Sequence, residues 1–249
     1  MIKLIEDLFI KNGFIFSFLL VGVMMLITDF LSKRVIKNKI PGVALAIVLG
    51  LILAGFGGDK GIANIPIFAG MAILGGSMMR DFAIVSTSLG ASFEEIKKAG
   101  WVAFLSLLIG IFFSFTIGTI ISYSFGYRDA KSIATIASGA CTFIVGPITG
   151  NAVGASSEII TLSIAAGVVK VLIVTICTPL TAKRIGLVDK NSAMVFGGIM
   201  GTTSGVSAGL AATDMKLVPY GAITATFYTG TAAILCPSVF YPVLKILMP

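Results

Sequence analysis

SGACTFIVGPITGNAVGASSE, residues 138–158, is the stretch on which the reading of this chain turns. Its glycines (Gly139, Gly146, Gly150, Gly154), Pro147, Asn151 and the hydroxyls of Ser138, Thr142, Thr149, Ser156 and Ser157 would suit a solvated loop. Between them it is apolar enough to enter a lipid bilayer. Loop, packing seam and binding site are the three readings open to it.

The rest of the chain narrows the choice. Of 249 residues, 57% are hydrophobic and only 12% charged, whereas a soluble domain is roughly half apolar and about a quarter charged. Such a chain cannot cover itself with polar surface, so it belongs in a membrane. Its charges fall in short clusters between apolar runs of about 20 residues, the length of a membrane-crossing helix. Period-two alternation is absent, which argues against a β-barrel. The expected fold class is all-α and polytopic, with six to eight membrane segments near 14–31, 40–56, 65–89, 99–125, 132–157, 159–181, 193–213 and 219–247. Residues 1–12 place Ile2, Ile5, Leu8 and Phe9 on one side, the pattern of a short interfacial helix. No stretch reads as a soluble domain or long linker, so residues 1–249 are expected to form a single transmembrane domain.

Several function classes fall away. The net charge of +7 comes from Lys and Arg in loops, which fits positive-inside topology and not nucleic-acid binding. Cys141, Cys177 and Cys236 sit in apolar surroundings and read as small buried hydrophobes, neither disulfides nor a metal set. With no His, a histidine metal site or proton relay is excluded, and no nucleophile–base spacing supports an enzyme. MIKLIEDLFIKNGF carries Glu6 and Asp7 and no small-residue cleavage site, so it does not read as a signal peptide.

Loop charge sets the orientation. Lys33, Arg34, Lys37 and Lys39 place the first loop in the cytoplasm. Counting onward, a complete crossing by 132–157 would put the basic loop of Lys183, Arg184 and Lys190 outside, against the rule. If 132–157 enters and returns on one side, that loop is cytoplasmic. Re-entry is the preferred reading, and it needs protein or a water-filled cavity to satisfy the non-helical backbone.

A second stretch resembles the first. Gly146, Gly150 and Gly154 form GxxxGxxxG, and Gly201, Gly205 and Gly209 repeat it within 193–213. A shift of 59 residues superposes Gly139 on Gly198 and Cys177 on Cys236, while a shift of 55 aligns the triplets. Either offset fits a duplicated unit of one glycine-rich segment plus one full span, which gives inverted repeats. Small residues every fourth position also let helices pack in lipid with no chemistry implied. Ser92 with Glu95, and GASSEII at 154–160, read simply as helix starts.

Charges inside spans point further. Lys170 lies at the middle of 159–181, on a face with Ser163, Ala166 and Gly167, and an intramembrane lysine costs about 3 kcal/mol on insertion scales. Arg80 and Asp81 lie just past the centre of 65–89, pointing about 100° apart on a helix. Asp29, beside Lys33 and Arg34, reads as interfacial. Tyr220, Thr224, Tyr228 and Thr231 make a polar stripe on the last span. As a substrate site the candidates are Lys170 and Arg80 for positive charge, with Thr142, Thr149, Asn151, Thr202, Thr203 and Ser204 as donors. Asp81 or Asp214, with carbonyls near Gly150 and Gly205, are the candidates for a coupling cation. No metal beyond that ion and no cofactor is expected.

IPIFAGMAILGGSMMRDFAIV, TFIVGPITGNAVGASSEIITLSIAAGVVK and SAMVFGGIMGTTSGVSAGLAATDMKLVPYGAITATFYTG resemble the MadM subunit of bacterial malonate transporters, from about residue 30 to the end. The resemblance implies import of malonate with Na⁺ across the bacterial inner membrane, together with a smaller membrane subunit, MadL. The alternatives are a symporter for another small carboxylate and a non-catalytic membrane scaffold whose glycines only pack.

Overall fold

In lipid every backbone N–H and C=O must find its partner inside the protein, so apolar runs fold as helices. The computed structural model describes residues 10–37, 40–56, 58–74, 82 and 93–248. The expected interfacial helix at 1–12 (but for its last residues), Arg80, Asp81 and the Ser92–Glu95 cap lie outside what is described. Among the described residues every regular element is helical, and four helical stretches are long and apolar enough to cross a membrane: 13–34, 100–124, 157–181 and 215–247. The chain is a multi-pass membrane protein. Two compact units divide it, 1–90 and 91–249.

In the first unit, α1 (Gly13–Arg34) is followed by α2 (Gly42–Ala54), two 3₁₀ turns and the short α3 (Gly70–Leu74). Gly42 lets α2 start against the Asp29 backbone, where an added Cβ would lie 2.7 Å from the Asp29 Cα. Ser32 Oγ donates to the Ile40 carbonyl at 2.5 Å across the turn. Asp29 pairs with Lys33 one turn on; both are exposed, so the pair adds at most about 1 kcal/mol. With 13 residues, α2 is shorter than the crossing expected at 40–56.

The second unit holds the glycine-rich stretches. Its long α4 (Phe93–Ser124) is interrupted at Gly100, φ 69°, and runs regularly from there. Then come α5 (Ala130–Cys141), α6 (Val145–Val153), α7 (Ser157–Thr181), α8 (Lys190–Met200), α9 (Thr203–Ala211), α10 (Val218–Leu235), a π-turn at Cys236–Phe240 and α11 (Tyr241–Leu247).

Residues 130–153 form no single helix but a hairpin. A Cβ on Gly146 would lie 3.0 Å from the Gly139 Cα, and one on Gly150 2.9 Å from Thr135 Cγ2. Gly146 therefore faces Gly139 and Gly150 faces Thr135, which only antiparallel arms allow. The bend follows from Pro147. Its ring would collide with the Phe143 carbonyl if α5 ran through, so the chain extends at Thr142 (φ −153°, ψ 151°) and restarts at Val145.

Residues 190–211 fold back likewise, around α10. Gly221 of α10 lies between the arms: a Cβ there would stand 3.2 Å from the Ala193 carbonyl of α8 and 3.0 Å from Val206 of α9, with Leu210 nearer still. Here no proline breaks the helix. Gly201, at φ 71°, ends α8 with its N–H on the Gly197 carbonyl at 2.8 Å, a left-handed stop that glycine alone adopts without strain.

The two hairpins open toward opposite ends of α7. The arms of the first begin and end at Asp129 and Gly154, near the α7 start. Those of the second begin and end at Asp189 and Asp214, past its finish. Matching caps open both. Asp129 accepts the Ser132 N–H at 2.8 Å and Asp189 accepts that of Ser192 at 2.7 Å. Each follows a glycine with positive φ, Gly126 or Gly186. These pairs, and the tip residues Thr142 and Thr202, all stand 60 positions apart, close to the 59-residue shift of the glycine pattern.

Glycine placement and the Asp189 cap make two predictions. A methyl group on Gly139 would overlap the Ser163 backbone, whereas Gly230 has nothing within 4 Å of its would-be Cβ. Gly139→Ala should destabilise the purified protein by about 1–3 kcal/mol while Gly230→Ala leaves it as stable or more so, read by thermal unfolding. The Ser192 N–H donated to Asp189 holds that carboxyl below the usual carboxylate range. A depressed native value means that the cap's contribution is present above the unfolded value of about 3.9 and is lost as pH falls through the native one. Thermal stability should therefore decline below about pH 4, less so in Asp189→Asn, which caps without titrating.

Candidate functional site

Both hairpin tips converge on the middle of α7. Gly167 allows it: a Cβ there would overlap the Phe143 backbone at the first tip. One turn on, the ammonium of Lys170, a residue half-buried as a whole, donates to Ser114 Oγ of α4 at 2.9 Å and to the Cys141 carbonyl at 2.9 Å. Its nitrogen also stands 5.2 Å from the centre of the Tyr228 ring of α10, a favourable cation–π arrangement. Among the described residues no carboxylate lies within ion-pair distance of it.

The Cys141 carbonyl is the last of α5. A helix leaves its final carbonyls without intrahelical partners and carries a partial negative charge there. Lys170 therefore caps the negative end of α5 with a full positive charge. On the other side of the same tip, Thr142 Oγ1 accepts the N–H groups of Ile144 and Val145 at 3.3 and 3.2 Å, at the start of α6. The first tip is thus satisfied within the protein at both its carbonyl and its amide ends.

The second tip lies across Tyr228. This tyrosine is fully buried, its hydroxyl donates to the Gly110 carbonyl at 3.3 Å, and a Cβ on Gly201 would overlap its ring. Tyr228 thus lies against both Lys170 and the second tip. Thr202, 1% exposed, starts α9 without a side-chain cap, and its Oγ1 has no hydrogen-bond partner. Gly205, one turn along, packs against the Thr202 methyl and the Val171 backbone.

The residues singled out from sequence separate accordingly. Lys170, Thr142 and Thr202 come together at the tips, with Thr203 half-buried and Ser204 exposed beside them at the start of α9. Thr149 is fully buried on α6 with an unpartnered hydroxyl. Asn151 is exposed near the open end of the first hairpin. Gly150 lies inside α6 against Thr135 and Ile160, not at a break; its lack of a side chain serves arm packing. Asp214 is exposed at the outer end of the second hairpin, where it accepts the Lys216 N–H at 2.9 Å and caps a 3₁₀ turn.

Ser114 escaped the sequence reading. Ser106, Gly110, Ser114 and Gly118 recur every fourth residue along α4. Gly110 meets the end of α8, Ser114 meets Lys170, and Gly118 meets α5. That spacing was the available signal. Tyr228 was visible only as part of a stripe whose other members do different things: Tyr220 lies under Lys190 at 5.0 Å, and Thr224 bonds its own helix backbone.

A basic residue at mid-span, two broken segments meeting at it and an all-helical membrane chain mark a transporter-like centre. The family model of the malonate/sodium symporter MadM subunit matches residues 5–248. The chain belongs to the MadM family. No curated protein and no solved structure matches it. MadM proteins are subunits of a malonate/sodium symporter, and the tips around Lys170 are where this member gathers its polar groups.

Hydrogen bonds to a charged group are worth about 1.5–3 kcal/mol. Ser114→Ala should therefore lower the unfolding free energy by about 2 kcal/mol, whereas Ser124→Ala, an exposed hydroxyl bonded to its own helix, should change it by less than about 0.5 kcal/mol.

Proposed function

We propose that this chain holds malonate between its two hairpin tips, half-way across the bacterial inner membrane, and carries it inward with sodium, together with a smaller membrane subunit of the MadL kind. The observation that carries this reading is the Lys170 ammonium, at the meeting of both tips and facing no described carboxylate.

In this reading both hairpins re-enter the membrane, each from its own side. Arms of 12 and 9 residues, and of 11 and 9, rise about 14–18 Å at 1.5 Å per residue, roughly half the hydrocarbon thickness of about 30 Å. Each hairpin followed by one full span makes an inverted-topology unit, with α7 closing the first and α10 the second. Shared caps 60 residues apart support it. The first hairpin then leaves the loop of Lys183, Arg184 and Lys190 on the cytoplasmic side.

Malonate is a short dianion and asks for two positive ends. One carboxylate takes Lys170. The other takes the free N–H groups at the start of α9, around Thr203 and Ser204, where the helix dipole favours an anion and no side-chain cap occupies the donors. With substrate gone, the ammonium returns to the Ser114 hydroxyl and Cys141 carbonyl, neutral acceptors that a carboxylate displaces because charged pairs bond more strongly. The empty carrier thus never leaves a bare charge in hydrocarbon. Sodium offsets the remaining negative charge of the loaded one.

Lys170→Met should abolish malonate uptake in vesicles containing both subunits, with assembly intact by size-exclusion chromatography. Retained uptake would sink the reading and favour a scaffold role. Unlabelled malonate should compete with labelled malonate at concentrations where succinate and citrate do not; equal competition would move the substrate to a wider carboxylate class.

A further inference from the structure

The two tips share a plan but differ in what they leave unsatisfied. At the first, a lysine caps the carbonyl end of α5 and a threonine hydroxyl caps the amide end of α6. At the second, the hydroxyl at the matching position, Thr202, is buried and bonds nothing. Among the described residues no cation caps the carbonyl end of α8 either. The position 60 residues on from Lys170 is Gly230, and no Lys or Arg occurs between Lys216 and Lys245. Beyond Gly197, whose carbonyl takes the Gly201 N–H, the final carbonyls of α8 have no intrahelical partner. Gly110 lets α4 come up to those of Gly198 and Ile199, with an added Cβ only 2.6 Å from the Ile199 oxygen. The α8 end is thus a negative dipole end at mid-depth, enclosed by protein, with an idle hydroxyl oxygen beside it.

We propose that the sodium ion binds at the second hairpin tip, at the C-terminal end of α8, with Thr202 Oγ1 and final-turn carbonyl oxygens of α8 as ligands. It does there what the Lys170 ammonium does for α5. This rests on the sodium-symport reading above and adds where the ion sits. A hydroxyl and peptide carbonyls are hard, neutral oxygens, the donor type that unwound helix ends offer to Na⁺. No carboxylate is required, which fits the exposed place of Asp214 at the outer end of the hairpin. The placement also gives coupling a physical cause. A cation at the end of α8 lies one residue from the α9 amides, so it favours a carboxylate there, and each ligand raises the affinity for the other.

The test uses the complete two-subunit transporter. Sodium dependence of malonate uptake is measured in proteoliposomes, and stabilisation by NaCl against choline chloride is measured by thermal unfolding in detergent without substrate. Thr202→Val removes the oxygen at nearly constant volume and should raise the half-saturating Na⁺ concentration at least tenfold, abolishing the sodium-specific stabilisation. Thr202→Ser keeps the oxygen and should preserve both. Unchanged sodium dependence in Thr202→Val overturns the site while leaving symport standing. Wild-type uptake indifferent to Na⁺ overturns the symport reading and the site with it. If Thr202→Val does not assemble, Thr202→Ala and Thr202→Ser carry the comparison: loss of the Na⁺ stabilisation in Ala but not Ser supports the site, and equal behaviour overturns it.

Discussion

An ammonium group at the centre of a membrane protein must be given partners, and the second unit of this chain is arranged around that requirement. Lys170 reaches the last carbonyl of a half-helix, a serine hydroxyl and an aromatic face. The carbonyl would not be open to it if α5 ran through the membrane as a continuous helix, because it would then be spent within its own ladder. The break after Cys141 therefore does two things at once. It frees a carbonyl for the lysine, and it turns the chain back so that α6 lies against α5. Pro147 enforces the break, and Gly139, Gly146 and Gly167 let α5, α6 and α7 approach closely enough for it to matter.

In the proposed mechanism packing and binding are consequently one arrangement. The glycines bring backbones together: Gly150, for one, seats its arm on Thr135 and Ile160. Without that closeness the tips would not meet across Tyr228. Stability and transport should be separable by mutation on this account, since arm glycines act on the first and tip polar groups on the second.

Much of this was legible in the sequence, and the reasons for the gaps are physical. Lys170 stood out because charge in a long apolar run is costly. Loop charge pointed to a fold-back of 132–157, but the Asp129 and Asp189 caps, each an Asp followed three residues on by Ser, went unread. Harder to see was which oxygen each donor finds. Ser114 and Tyr228 come to Lys170 from 56 residues upstream and 58 downstream, and only the packing of α4 and α10 on α7 brings them there. Glycine spacing also misled in part. Because Gly150 belongs to a triplet matching that of Gly201 and Gly205, it looked like a break, whereas the real turns fall at Thr142 and Gly201. Asp214 stands exposed at the outer end of its hairpin, where it caps a 3₁₀ turn, a place that its sequence position alone did not reveal.

The asymmetry between the tips gives the account its direction. One tip is closed by groups of the protein; the other offers an uncapped amide end and an idle hydroxyl. The most direct measurement is a structure of the two-subunit transporter with malonate and sodium bound. The account predicts the dianion within hydrogen-bond distance of Lys170 Nζ and of the Thr203–Ser204 amides, with the ammonium drawn away from the Cys141 carbonyl. Malonate bound elsewhere, with Lys170 still held by Ser114 and Cys141, would contradict it.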